Sequence, residues 1–263
     1  MTKLKQFVEN SETDEKIINL ATEVYQNKII NAFVNKCGND FKQEFICDDL
    51  EPDVTLFEEI YRYPGSSQKL SVIIGVNIQN SANTTTAFNF VAKFVPPNLI
   101  VMCADRLIYD LNKSFDAYGN ITINANDWYT ALHDKAMIST FIHEFVHFLD
   151  YQTGISNKIS HSYQHQNLSR EEFEKKHFNS PDEINAHALQ QIYNLIIEIL
   201  YERNISNKKE AFTFLYNYLK NGEWRKDAHF MRYYNALNPE TKQHVISRIY
   251  KFFTSYFERH FKE

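Results

Sequence analysis

Glycine and proline are scarce, with six of each in 263 residues. Both residues punctuate turns and breaks, so their scarcity argues against a loop-rich or all-β chain. The three cysteines, Cys37, Cys47 and Cys103, are odd in number, far apart and without CxxC spacing, and indicate neither a disulfide framework nor a zinc ribbon. No run reaches the roughly 18 consecutive apolar residues of a membrane span. The opening stretch MTKLKQFVENSETDE has no long apolar segment and no small-residue cleavage site, so no secretory signal is expected. Long basic runs are also missing and the formal net charge is −5, which makes nucleic acid an unexpected partner. These absences predict a soluble, cytoplasmic chain with no membrane partner. Its oligomeric state is open.

What is present is globular in character. Hydrophobic residues make up 43% and charged residues 23%, and a chain of this length buries a substantial core. The patterning predicts one domain over 1–263, with a helix and a small sheet in 1–126 and a mainly helical part in 127–263. Residues 12–37 read as a helix that Ser11 can cap with Asp14 three positions on, and Ile17, Ala21, Val24, Ile29 and Phe33 recur at helical spacing. Alternation then predicts strands through Val72–Ile78 and Phe88–Phe94, joined by the polar loop Gln79–Thr85. Leu99–Cys103 reads as a buried strand and Ile121–Asn124 as a short strand at an edge. Helices are predicted over 127–151, 169–177, 181–202, 208–220 and 239–259. The fold class is therefore α+β.

The chemistry concentrates in His143-Glu144-Phe145-Val146-His147. On a helix, residues four apart lie about one turn apart on the same face, so two imidazoles so spaced can reach one metal ion while the glutamate points beside it. At about 100° per residue, Thr140, His143, Glu144, His147 and Tyr151 fall on one side. Met137, Ile138, Phe141, Phe145, Phe148 and Leu149 fall on the other. A coincidental match on an amphipathic helix would more often place a histidine among the phenylalanines than opposite them.

This motif resembles that of the zincin metallopeptidases, and the resemblance covers a minority of the chain. It implies a zincin-like fold and one zinc ion per chain, with His143 and His147 as ligands. Glu144 would be the general base that takes a proton from a metal-activated water. Asp150 and Thr153 stand where the metzincin branch needs glycine and histidine, so that branch is rejected. The later segment Ser180-Pro181-Asp182-Glu183-Ile184-Asn185-Ala186-His187 resembles the gluzincin branch, in which a glutamate near a helix start completes the site. It is also similar to segments of uncharacterised zincin-like proteins of bacteria and phages, which leaves a viral origin open.

Glu183 is thus the candidate third ligand. His187 occupies the position where that branch often has a buttressing aspartate, and it competes for the same role. A bland account of Glu183 also stands: Ser180 as N-cap, Pro181 at the first helical position, and Glu183 as the capping-box residue. Asp150, one turn beyond Val146, is either an acceptor for the outer N–H of a metal-bound histidine or an exposed charge near the helix end. His161, His165 and Tyr163 lie in a polar stretch that reads as a surface loop able to line a cleft.

The function expected from these residues is zinc-dependent hydrolysis of a peptide or protein substrate. A strand ahead of the motif helix, Leu99–Cys103 or Ile121–Asn124, would edge the cleft and pair with an extended peptide. The rival expectations are a zincin-like binding or regulatory module without turnover, and a structural zinc protein in which His161 or His165 closes the site.

Overall fold

The computed structural model describes residues 11–37, 40–43, 53–62, 69–77, 92–103, 121–124, 132–153, 168–222 and 228–261. The loop Gln79–Thr85, residues 88–91 of the expected second strand, and His161, Tyr163 and His165 lie outside them. The architecture is mixed α and β, mainly helical, with a small four-stranded sheet. Two compact units are present, Leu20–Phe148 and Met1–Asn19 with Leu149–Glu263. Both boundaries fall inside helices.

In the first unit a continuous helical stretch comprises α1 (Ser11–Glu23, begun in the other unit), a π-helical segment (Val24–Ile30) and α2 (Asn31–Cys37). The π segment has a cause in the sequence. Val24 and Ile29, and Tyr25 and Ile30, are five residues apart, and the wider i→i+5 turn brings such pairs onto one side. All four are buried. Upstream, Ile18 rather than Ile17 enters the core.

The strands are β1 (Asp40–Gln43), β2 (Asp53–Arg62), β3 (Lys69–Asn77), β4 (Ala92–Val95), β5 (Leu99–Cys103) and β6 (Ile121–Asn124). The main sheet has the order β2-β3-β5-β4, with β3 and β5 parallel and the other pairs antiparallel. Pairing of Val72 with Ile100 and of Ile74 and Ala92 with Met102 sets these side chains on one face, and all are buried. β5 is therefore an inner strand, which corrects its expected role as a cleft edge. The edge strands of the main sheet are β2 and β4. β6 pairs with β1 in a separate two-stranded sheet.

Helix α3 (Lys135–Gln152) carries the motif. Residues 127–131 of the expected helix lie outside the described residues, and α3 begins at Lys135 after a break at His133 and Asp134. Asp134 accepts the Ala136 N–H on its side chain at 2.8 Å and the Met137 and Ile138 N–H groups on its carbonyl at 3.0 and 3.1 Å. Met137, Ile138, Phe141, Phe145 and Phe148 are buried as their face predicts, with Phe141 against Tyr25 at 4.9 Å between ring centroids. Each such side chain contributes about 1.5–3 kcal/mol by leaving water.

The second unit is helical: α4 (Arg170–Phe178), α5 (Pro181–Ile197) extended by a π-helical turn (Glu198–Glu202), α6 (Lys208–Lys220), α7 (Ala228–Ala236) and α8 (Pro239–His260). Polar caps start several of them: Ser169 with Glu172 in a full capping box, Asn207 on the Glu210 N–H, and Asn238 on the Thr241 N–H. Asp14 of α1 does not join a cap with Ser11, which lies within the helix. Its carboxylate takes Arg248 of α8 in a buried bidentate pair at 2.7 and 3.0 Å. No helix of the described residues is long and apolar enough to cross a membrane.

Candidate metal centre

Helix α3 places His143 and His147 one turn apart, and their rings meet edge to face with Nε2 to Nε2 at 3.1 Å. Two Zn–N bonds of about 2.0–2.1 Å at a tetrahedral angle would set their nitrogens about 3.3 Å apart, so this spacing suits two ligands of one ion. Without a metal, one of the two nitrogens carries the proton and the other accepts it. His147 is buried and His143 half-buried. On the polar side of the helix Glu144 and His147 are buried, whereas Thr140 and His143 are half-buried and Tyr151 is exposed.

Glu144 is buried as well, and its Oε2 accepts the backbone N–H of Phe94 at 2.6 Å. Phe94 lies on β4, whose other side pairs with β5, so this N–H points away from the sheet. The Phe94 ring meets Phe148 edge-on at 6.2 Å. Strand β4 is thereby registered on the motif helix by a backbone hydrogen bond and a ring contact.

On α5 the capping account of Glu183 fails. Ser180 makes no side-chain cap bond, and its hydroxyl instead donates to the His177 carbonyl at 2.7 Å. The Glu183 carboxylate faces two imidazoles, His177 Nε2 at 3.3 Å from Oε1 and His187 Nε2 at 3.5 Å from Oε2. Glu183 and His187 are buried, and the His187 ring stacks on Tyr233 of α7 at 4.3 Å. Burial holds the Tyr233 hydroxyl well above the usual tyrosine range, and the Glu183 charge adds to this. That hydroxyl is buried with no hydrogen-bond partner.

Asp150 is not an exposed charge. It is buried, and both its oxygens accept from Asn185 Nδ2, at 3.1 and 2.9 Å. Within the helical unit Glu183 and His187 bring a carboxylate and an imidazole together, and within the other unit His143 and His147 bring two imidazoles together, ligand types suited to a divalent ion such as zinc.

His177, Asn185, Tyr233 and the Phe94 amide were not singled out in the sequence. His177 ends α4 and faces Glu183 across the short Asn179-Ser180 turn, a chain reversal that no helical periodicity reports. Asn185 lies two residues from Glu183 in the segment already under scrutiny, and it was the most accessible of the four. The chain matches no protein-family model, no curated protein and no solved structure.

Proposed function

We propose that this chain is a zinc-dependent hydrolase acting on peptides or proteins, a zincin-like enzyme with one zinc per chain. His143, His147 and Glu183 are its ligands, and His187 is the alternative for the third position. The observation that carries the reading is the 3.1 Å approach of His143 and His147 Nε2 with the Glu144 carboxylate buried beside them on the same helix. Glu183 and His187, adjacent on α5, offer the further ligand that a catalytic zinc site needs.

Bound zinc would supply a polarised water near neutral pH and a Lewis acid for the substrate carbonyl. The chain's own residues do the rest. Glu144 is oriented through Oε2 by the Phe94 N–H, which leaves Oε1 to accept the proton of the attacking water and pass it to the leaving amine. Asp150 and Asn185 form a buried pair beneath the end of the motif helix, with Asp150 as the acceptor suited to a ligand histidine N–H. β4 is an edge strand of the main sheet, and with its Phe94 N–H taken by Glu144 an extended peptide would pair with the other backbone groups of that edge.

The same Phe94–Glu144 bond favours a second reading, a non-catalytic zincin-like binding module in which Glu144 is a structural acceptor. Glu144→Gln separates the two, because glutamine keeps an oxygen for the Phe94 N–H but cannot take a proton. The hydrolase reading predicts that this variant binds zinc, unfolds as wild type does, and loses on the order of 10²–10⁴-fold in peptide hydrolysis measured against a mixed peptide library. No zinc-dependent cleavage by wild type, together with a Glu144→Gln as stable as wild type and a destabilised Glu144→Ala, would leave the binding module.

A further inference from the structure

We infer that His177 is a positioning residue for the metal site, fixing the Glu183 carboxylate so that one oxygen alone is offered to the ion; this rests on the zinc reading above. His177 Nε2 stands 3.3 Å from Glu183 Oε1, and because a carboxylate accepts only, the two are complementary when Nε2 carries a proton. The other oxygen, Oε2, is the one turned to His187 Nε2. With Oε1 held, Glu183 binds a cation through a single oxygen, the mode that keeps a four-coordinate site with an open position.

The surroundings of His177 are built to hold it there. Its ring stacks on Phe173 at 5.5 Å with 20° between planes and packs against Phe178 at 5.2 Å. Phe178 in turn meets the His187 ring edge-on at 5.2 Å, so one phenylalanine seats both imidazoles that flank Glu183. Helix α4 itself is tied down by polar contacts. Asn179 donates to the Ala236 carbonyl and accepts the Asn238 N–H, both at 3.0 Å, and Arg232 pairs with Glu174 at 2.6 Å. Among the α4 residues whose burial is described only Phe178 is buried, so the helix contributes little core. Its terminal histidine is what it brings to the site.

The test is zinc affinity of the full chain, titrated against a chromophoric chelator, for wild type, His177→Ala and His177→Gln. The visible spectrum of each cobalt-loaded protein accompanies it. Glutamine can still donate to Oε1; alanine cannot. His177→Ala should weaken zinc by on the order of 10–100-fold with the unfolding midpoint of the metal-free chain unchanged. Its cobalt spectrum should weaken toward that of higher coordination as Glu183 binds through both oxygens. His177→Gln should recover most of the affinity and the wild-type spectrum. Wild-type affinity and spectrum in His177→Ala, or equal losses in alanine and glutamine variants, would overturn the role of His177 and leave the zinc reading intact. A wild-type chain that takes up no zinc would overturn both.

Discussion

Glu183 illustrates how a single side chain carries two readings until its surroundings are known. A glutamate three residues after a serine and two after a proline is the pattern of a helix start, and Ser180 and Pro181 do open α5. Its carboxylate nevertheless sits between two imidazoles, and the Ser180 hydroxyl turns to the His177 carbonyl instead of capping α5. His143, Glu144 and His147 were legible from spacing alone, since helix geometry dictates their common side. His177 was not, since it reaches Glu183 by a turn between helices. At this scale the structure also predicts a pH dependence. His244 on α8 has its pKa held below 6.5, first by burial and then by the Arg248 and Lys251 charges. The folded chain thus favours neutral His244, and the unfolded chain binds its proton at higher pH. Its contribution to stability is present above pH 6.5 and is lost as pH falls through the lowered folded value. His244→Gln should flatten the decline of the denaturation midpoint below that pH, and a decline as steep as that of wild type would refute the assignment.

Among elements, the well-capped and strictly periodic ones were legible. Helix α6 spans the expected 208–220, and β5 the expected Leu99–Cys103. The longest described strand, β2, was not, because a register shift between Thr55 and Phe57 interrupts the strict alternation that a sequence reading relies on. Helix α7 is nine residues rich in phenylalanine and tyrosine, whose weak helix propensity hides it. It forms because Phe230 and Tyr233 bury. Two predictions belong here. Ser169→Ala removes the α4 capping box and should cost about 1 kcal/mol in denaturant unfolding; no change would mean that tertiary contacts alone hold this helix start. Arg248→Ala leaves the Asp14 carboxylate buried without its bidentate partner, and should cost roughly 3–5 kcal/mol. Replacing both partners by apolar residues should recover much of that loss, whereas a double variant as unstable as the single would locate the cost in packing.

At the scale of the whole molecule, an α+β chain with a small sheet and a helical majority was legible from the change of period along the sequence. The division into two compact units was not, since each boundary runs through a helix whose hydrophobic pattern is unbroken. If the chain holds zinc, binding and folding are linked, and free zinc at about 100 times its dissociation constant adds about 2.7 kcal/mol of stability. A strong chelator should therefore lower the unfolding midpoint of the purified protein. The central claim is tested most directly by elemental analysis of the purified chain beside His143→Ala and Glu183→Ala. The account predicts about one zinc per wild-type chain, lost from both variants. A wild-type chain without metal after reconstitution, or full zinc retained in His143→Ala, would contradict it.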